Sequence, residues 1–327
     1  GDVNGDGYDD VIVGAYRYDY ASVSGAYVWY GSEADGLGAD GTPASADWSV
    51  TSDQILSAFG FHVGSAGDVN GDGHGDIFVG APAYDNGETD EGMVFVWYGS
   101  DTGLPAGATP STADWTVESD QAGAQLSGRW NSAPQEGSAG TAGDVNGDGY
   151  DDFIAGSILY DNPDTDEGAV FLWYGSAGGL GGDGSVSGAD WRAEGDQASA
   201  WFSSGAGTAG DVNGDGYDDV LVGACYFDQD DPGDNHGLAA VWLGSADGLG
   251  ESGTPGNADW AVGSGQIGSN FGWAVATAGD VNGDGLADVI VGARQYDNPE
   301  SEEGAAFVYH GQEVDARVFL PLVVRNM

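Results

Sequence analysis

The hexapeptide Asp-Val-Asn-Gly-Asp-Gly occurs five times in this chain of 327 residues, beginning at Asp2, Asp68, Asp144, Asp211 and Asp280. Successive copies start 66, 76, 67 and 69 residues apart, and the longest interval holds an insertion around residues 129–134. A regular period of this kind is typical of proteins assembled from one small unit whose copies stack on each other. We therefore expect five copies of one structural unit, beginning near residues 1, 59, 137, 202 and 271.

Short apolar runs rich in Val, Ile, Phe, Tyr and Trp alternate in every copy with stretches rich in Gly and Asp. In the second copy these runs include residues 77–81 and 94–98, and Asp114-Trp115 opens another. This pattern predicts short strands and turns, and no helical spacing of apolar residues lasts three turns. We expect an all-β chain in which each copy forms a four-stranded sheet, like one blade of a β-propeller.

The two ends of the chain depart from this pattern. The first copy lacks the strand that precedes the hexapeptide elsewhere, and the last copy lacks the strand that begins with Asp-Trp. The tail of residues 312–327 is apolar and β-prone. Because an unpaired sheet edge would otherwise be left open, we expect this tail to complete an end blade, either in this chain or in a neighbouring one.

Each hexapeptide opens a nine-residue metal loop of the form D-x-N-x-D-G-x-x-D. Oxygen-bearing side chains occupy its positions 1, 3, 5 and 9, and they are Asp2, Asn4, Asp6 and Asp10; Asp68, Asn70, Asp72 and Asp76; Asp144, Asn146, Asp148 and Asp152; Asp211, Asn213, Asp215 and Asp219; and Asp280, Asn282, Asp284 and Asp288. Position 7 would offer a backbone carbonyl, from Tyr8, His74, Tyr150, Tyr217 and Leu286. Carboxylate, amide and carbonyl oxygens are hard ligands that suit Ca²⁺ better than Mg²⁺ or a transition metal.

Only the first half of this loop resembles an EF-hand. Position 12, which carries an acidic ligand in an EF-hand, is occupied here by Val13, Val79, Ala155, Val222 and Val291, inside a predicted strand. Five acidic turns without metal are the alternative, but carboxylates crowded in threes would repel one another strongly without a cation. The sequence therefore predicts about five Ca²⁺ ions, each held between two strands.

The charge balance restricts the partners of the chain. It has 54 acidic residues against six Arg and no Lys, for a net charge of −48. Nucleic-acid binding is not expected, because contacts to phosphates need clustered Lys and Arg, and anionic membranes are disfavoured for the same reason. No run of 18 apolar residues occurs, so direct membrane insertion is not expected either.

In these features the chain resembles the FG-GAP repeat proteins, which include the β-propellers of integrin α-subunits and many bacterial extracellular proteins. The matching residues are Phe59-Gly60 and Phe271-Gly272 for "FG", Val79-Gly80-Ala81-Pro82 for "GAP", and the five metal loops. The resemblance implies a β-propeller over residues 1–311, usually of seven blades, with its calcium loops on one face. Five loops leave open a five-bladed ring, part of a larger ring, or an open array completed by neighbours.

These features favour a non-catalytic protein of adhesion or surface assembly, in which calcium makes each blade rigid. Extracellular sites of this kind need roughly 0.1–1 mM calcium, which predicts a location outside the cell or at its surface. The partner, a protein or a glycan, is left open. The apolar tail could also dock on the end blade of a second copy and form a homo-oligomer.

The alternative is a carbohydrate-binding module, or an accessory domain of a secreted enzyme that acts on polysaccharides. The recurring Asp-Trp pairs at 47–48, 114–115, 190–191 and 259–260 would suit sugars, although their equivalent positions favour packing between blades. The recurring Trp29, Trp97, Trp173 and Trp242 are likewise expected in the core. The 129–134 insertion is equally consistent with a recognition loop and with an irregular surface loop.

Catalysis within the chain is not expected. The four His residues share no repeat position, and no nucleophile elbow, zinc-ligand cluster or phosphate-binding loop occurs.

Overall fold

The computed structural model describes residues 1–19, 23–33, 36, 41–130, 136–182, 184–228, 233–313 and 321–324. Its regular structure consists of β-strands and three short 3-10 helices at Pro43–Ser45, Pro110–Thr112 and Val186–Gly188. The chain divides into two compact units. One comprises residues 1–141, 150–155 and 173–189, and the other comprises residues 142–149, 156–172 and 190–327. The predicted all-β fold is confirmed.

The first two sheets lie in the first unit. The first has the strands β1 (Val11–Asp19), β2 (Val23–Trp29) and β3 (Trp48–Thr51), and the second has β4 (His62–Gly67), β5 (Asp76–Ala81), β6 (Met93–Trp97) and β7 (Trp115–Glu118). In both sheets each strand pairs antiparallel with the next one along the chain. The first sheet thus has three described strands, as predicted for a copy that lacks the strand before its loop.

The insertion follows the second sheet. Its flanks pair as a small two-stranded ribbon of β8 (Gly128–Arg129) and β9 (Glu136–Gly137). Residues 131–135 lie outside the described part of the chain. Whether this insertion is a recognition loop therefore stays a prediction.

The other three sheets repeat the order of the second. The third has β10 (Ala139–Gly143), β11 (Asp152–Ser157), β12 (Ala169–Trp173) and β13 (Trp191–Glu194); the fourth has β14 (Phe202–Gly210), β15 (Asp219–Ala224), β16 (Leu238–Trp242) and β17 (Trp260–Val262); the fifth has β18 (Phe271–Gly279), β19 (Asp288–Ala293), β20 (Ala305–Tyr309) and β21 (Pro321–Val324). Four consecutive strands in one up-and-down sheet are the content of a propeller blade, so we call each sheet a blade.

The tail forms the fourth strand of the fifth blade. β21 pairs antiparallel with β20, with Phe307 opposite Val323 and Tyr309 opposite Pro321. Proline at the start of an edge strand is tolerated because its missing N–H is not needed for pairing. The tail thus completes the end blade of its own chain, the first of the two predicted arrangements. Residues 314–320 and 325–327 of the tail lie outside the described residues.

The central strands of the second blade are buried along their whole length. Successive side chains of a strand point to opposite faces. Val79 therefore packs in a cluster with Phe59 and with Val28 of the preceding repeat, whereas the ring of Phe78 meets that of Phe153, 5.5 Å away between centroids, on the other face. Apolar cover on both faces explains why these strands are almost continuous apolar runs.

The predicted core role of the recurring strand tryptophans is confirmed. Trp97 and Trp173 are completely buried, and Trp29 and Trp242 are buried as well. Within each unit, the Trp of an Asp-Trp pair packs edge-on against a strand Trp of the following repeat. These pairs are Trp48 with Trp97 and Trp115 with Trp173 in the first unit, and Trp191 with Trp242 in the second. Edge-to-face ring contacts of this kind add to the stabilisation from burial.

Candidate metal loops and the opposite blade end

Every metal loop that follows a described strand joins the first two strands of its blade. The loop of residues 68–76, for example, leads from β4 into β5. In an up-and-down sheet the connection between the third and fourth strands lies at the same end, and the remaining connections lie at the other end. Each blade therefore has a metal-loop end and an opposite end with a separate set of loops.

The first Asp of a loop organises the loop backbone. Asp2 accepts amide hydrogen bonds from Gly5 (2.7 Å) and Asp6 (3.2 Å) on Oδ1 and from Gly7 (2.8 Å) on Oδ2. The fifth loop repeats this pattern around Asp280. There the amides of Gly285 and Gly283 hold the pKa of Asp280 below its usual value, because they stabilise the ionised form. These carboxylates are thus kept charged and turned into the loop.

The last Asp of a loop, which is buried in every loop but the first, bonds the loop to the sheet. Asp76 accepts the Val69 amide on Oδ2 and the Gly99 amide on Oδ1, both at 2.9 Å. The same pair of bonds recurs at Asp10, Asp219 and Asp288. A carboxylate oxygen has two lone pairs, so each oxygen that accepts one amide can still bind a cation.

Burial raises the pKa of Asp76 to about 7, although the amides of Gly99 and Val69 act in the opposite direction. Repulsion from Asp68 and Asp72 of the same loop adds to the rise. Burial raises the pKa of Asp219 to about 7 in the same way, with Asp215 and Asp211 as the repelling groups. A cation among these carboxylates would remove the repulsion and favour their ionised forms.

The Asn and the middle Asp of the loop also meet. The Asn4 side chain donates to Asp6 Oδ2 (3.2 Å), and the Asn213 and Asn282 side chains make the same contact to Asp215 and Asp284. The middle Asp also accepts the amide of position 7 on its other oxygen, as His74 donates to Asp72 Oδ1 (3.0 Å). The side chains at positions 1, 3 and 5 thus bond within one curled segment, and their role as metal ligands together with position 9 stays a prediction. Whether the position-7 carbonyls are ligands stays a prediction.

Each of the first four metal loops is joined to the next repeat through the main chain. The carbonyl of Asp2 accepts the amide of Gly75 (2.7 Å), and the carbonyl of Val3 accepts the amide of Ser100 (3.0 Å). The equivalent bonds run from Asp151 and Ser176 to Asp68 and Val69, from Asp218 and Ser245 to Asp144 and Val145, and from Ala287 and Gln312 to Asp211 and Val212. The conformation of one loop therefore determines how the following repeat is held.

The Asp-Trp pairs have structural partners. The indole N–H groups of Trp48, Trp115 and Trp191 donate to the carbonyls of Pro105, Gly181 and Glu251 in the following repeat. Asp47, Asp114 and Asp259 accept the amides of Tyr30, Tyr98 and Leu243. The tryptophans of these pairs connect one blade to the next. This is the packing role that the sequence favours over sugar binding.

A second acidic group lies at the opposite blade end, and the sequence reasoning missed it. Glu91, Glu118 and Asp120 each offer a carboxylate oxygen, and these oxygens all lie within 4.8 Å of one another. Among the described residues no other three acidic, His or Cys side chains meet this distance, so the carboxylates of the metal loops are spread more widely. The strand register of β6 and β7, which the sequence alone did not reveal, brings this group together.

Comparison with known proteins gives one family and several relatives. The FG-GAP repeat model matches residues 1–30, 59–97, 137–173, 205–243 and 271–309. Integrin alpha-PS2 of Drosophila melanogaster is 34% identical over 188 residues, which is 56% of this chain and 12% of that protein. Phosphatidylinositol-glycan-specific phospholipase D of Mus musculus is 39% identical over 114 residues, which is 34% of this chain and 12% of that protein. The chain thus spans about an eighth of the length of these relatives.

Among solved structures, that of exotype rhamnogalacturonan lyase YesX aligns with a TM-score of 0.45 at 13% identity, over 98% of this chain and 47% of that one. A structural similarity at this level does not indicate a function for this chain. In the described part of the chain, no helix is both long and apolar enough to span a bilayer.

Proposed function

The chain belongs to the FG-GAP repeat family, as its sequence predicts, and from this membership we propose that it is a non-catalytic, extracellular repeat protein of the adhesion type. About five Ca²⁺ ions would occupy the metal loops and make the array of blades rigid. The observation that carries this proposal is the pair of main-chain bonds from each of the first four loops to the following repeat. A cation that fixes the loop thereby fixes the attachment of the next blade.

Calcium is the ion that best fits the loops. Each offers three carboxylates and one amide oxygen on a curled segment, a set of hard oxygen ligands typical of Ca²⁺. Because such a site exists only in the folded chain, the free energy of binding adds to the free energy of unfolding. One site at a hundred times its Kd would contribute about 2.7 kcal/mol.

The decisive experiment is to count bound ions and to measure melting with and without a chelator. We expect about five loop ions and a much lower melting temperature after chelation. Asp6→Asn, at a ligand position, should remove one ion. Asp9→Asn changes the same charge in the same loop at the exposed, non-ligand position 8, and it should remove none. Ion-free protein that melts unchanged in chelator would overturn the proposal.

The remaining parts of the proposal concern partners and location. We expect a protein or glycan partner outside the cell or at its surface, and no nucleic acid, because the chain has 54 acidic residues and six Arg. Self-assembly through the tail competes with the pairing of β21 in its own blade. Deleting residues 312–327 should abolish any oligomer that depends on the tail, and an oligomer that persists would exclude this route.

A carbohydrate-binding role is the second candidate, and one cluster in the second unit favours it. Trp201, Tyr226 and Trp273 are partly exposed, and their rings meet at centroid distances of 4.5 Å and 6.5 Å. The guanidinium of Arg294 lies 3.5 Å from the centre of the Trp273 ring. Aromatic faces beside a few polar groups are typical of small-molecule sites. A glycan array should then give a signal that Trp273→Ala removes, whereas no signal would reject this role.

Catalysis is not part of the proposal. One relative is named as a phospholipase, but this chain matches only 12% of its length. An activity assay of the purified chain on phosphatidylinositol-glycan anchors should give no turnover.

A further inference from the structure

We propose that the fifth blade of one copy of this chain binds the first blade of a second copy, through the contacts that join neighbouring repeats within one chain. The two surfaces involved lie at the two ends of the array of repeats. We call residues 280–290 the fifth-blade surface and residues 8–13 the first-blade surface. This association goes beyond the proposed function, which does not require it.

Within the chain, a side chain of the next repeat covers each of the first four metal loops. A Cβ added to the glycine at position 4 would lie 2.5–2.8 Å from the side chain at position 7 of the following loop, for Gly5 with His74, Gly71 with Tyr150, Gly147 with Tyr217 and Gly214 with Leu286. At Gly283, in the fifth loop, no described atom lies within 4 Å. Tyr8, the position-7 residue of the first loop, is 40% exposed. The first-blade surface thus offers the covering side chain that the fifth loop lacks.

The main chain of the fifth loop also has the groups that bind the next repeat elsewhere. At every other junction the carbonyl of the first Asp accepts the amide of position 8 of the following loop. No amide of another repeat in the described part of the chain bonds to the carbonyl of Asp280. The position-2 valine is buried in the first four loops, whereas Val281 is 55% exposed. Position 8 of the first loop is Asp9, whose amide would complete the same bond.

The side chain of Asp9 supplies a second matching group. At two junctions an Asp at position 8 also accepts the amide of the first Asp of the preceding loop. Asp151 Oδ2 accepts from Asp68 (2.8 Å), and Asp218 Oδ2 accepts from Asp144 (3.0 Å). Asp9 has the same place in its own loop, and its side chain is almost fully exposed. It is therefore positioned to accept the amide that begins the fifth loop of another copy.

Apolar side chains on the two surfaces extend the match into the sheets. Val11 and Val13 are 40% and 46% exposed, whereas the equivalent Ile77 and Val79 are buried in a cluster with side chains of the preceding repeat. On the fifth blade, Ile290 is only half-buried, although the equivalent side chains of the second to fourth blades are buried. Burial of these groups against one another would favour association, because it removes apolar area from water.

A second copy of the chain is the partner that these groups fit. It carries the aromatic side chain, the amide, the carboxylate and the apolar side chains in the arrangement that four junctions of this structure already show. Because the two surfaces differ, the contact is head-to-tail and joins copies in a row or in a closed ring. The net charge of −48 on each copy opposes association, so association should strengthen as salt screens these charges.

The test is sedimentation velocity of the full chain in calcium buffer with about 0.15 M salt, over a series of protein concentrations. The wild type should form larger species as its concentration rises. Val13→Asp and Val281→Asp each place a charge on one surface, and each variant alone should stay monomeric. An equimolar mixture of the two should form a complex of two chains and no larger one. The intact fifth-blade surface of the first variant would bind the intact first-blade surface of the second.

Matched controls distinguish this contact from other associations. Ile55→Asp and Ile267→Asp make the same change at strongly exposed side chains outside both surfaces, and they should associate like the wild type. Tyr8→Ala should weaken association about tenfold, which keeps the test informative if Val13→Asp fails to fold. Variants that both associate like the wild type, as they would through the tail, or a mixture without a complex would overturn the inference. So would a wild type that is monomeric at every concentration, and if that monomer binds about five calcium ions the proposed function is left intact.

Discussion

The second and fifth metal loops have the same ligands but very different surroundings. In the second loop, Val69 is completely buried and the Asp68 carbonyl accepts an amide from the third repeat. In the fifth loop, the equivalent Val281 is 55% exposed, and Asp280, Asn282 and Asp284 are exposed as well. The hydrogen bonds within the two loops are nearly the same. Local sequence therefore determines the shape of a loop, whereas the following repeat determines how well it is anchored.

The largest expected effect is a pH dependence of stability that arises from the buried carboxyls Asp76 and Asp219, in the second and fourth loops. Asp76 and Asp219 have a pKa of about 7 in the folded, ion-free chain, against an ordinary value of 3.8. Between about pH 4 and 7 the folded state therefore binds more protons than the unfolded state, and stability falls as the pH rises. At roughly 1.4 kcal/mol per pKa unit, each group could contribute a few kcal/mol.

We therefore expect ion-free protein to melt at a higher temperature at pH 5 than at pH 8. Saturating calcium should reverse this order, because the ion competes with protons for the same oxygens. Melting curves in buffers stripped of divalent ions measure both effects. Replacing Asp76 and Asp219 by Asn should reduce the ion-free difference, whereas Asp9→Asn, at an exposed position outside these two loops, should leave it. An unchanged difference in the double variant would contradict this explanation.

The second prediction compares glycines at position 4 of the two loops. Gly71 and Gly283 have φ angles of +68° and +78°, a left-handed conformation that costs about 1–2 kcal/mol for other residues. An added Cβ at Gly71 would lie 2.5 Å from the Tyr150 ring, whereas nothing lies within 4 Å at Gly283. We expect Gly71→Ala to destabilise the chain by about 3 kcal/mol and Gly283→Ala by about 1 kcal/mol. Urea unfolding in calcium buffer measures both, and equal losses would mean that the next repeat does not cover the second loop.

The smallest predicted effect is the loss of stability when the valine at position 2 of the second or fifth loop is shortened to alanine. Val69→Ala removes two buried methyl groups, and at about 0.8 kcal/mol per buried carbon we expect a loss of about 2 kcal/mol. Val281→Ala, at the exposed position, should change the free energy of unfolding by less than about 0.5 kcal/mol. The same urea experiment applies. A large loss at Val281 would show that another surface covers the fifth loop in solution.

Much of the fold could be predicted from the sequence because the repeats are so similar. The hexapeptides located the loops, and the apolar runs located central strands such as β5 and β6. The tail was predicted to complete an end blade, but the sequence could not decide between its own chain and a neighbour. That choice depends on the pairing of β20 with β21, which no local pattern in the tail determines.

The candidate site was only partly predictable. The predicted ligands of each metal loop lie within nine residues, so their spacing can be read directly from the sequence. The acidic group of Glu91, Glu118 and Asp120 was missed because Glu91 and Glu118 are 27 residues apart and meet only through the register of two strands. In a chain with 54 acidic residues, no single carboxyl stands out. Acidic residues recur at the equivalent positions of the third repeat, Glu167, Glu194 and Asp196, and this recurrence was the signal that could have revealed the group.

The main-chain bonds from one loop to the next repeat have a consequence for calcium uptake. If the loops bind calcium as proposed, a loop that closes on an ion would orient the neighbouring loop, which would then close with less loss of conformational freedom. Occupancy should then rise over a narrower range of calcium concentration than for independent sites. Such a chain would stay flexible at low calcium concentration and would become rigid within a narrow range of higher concentrations.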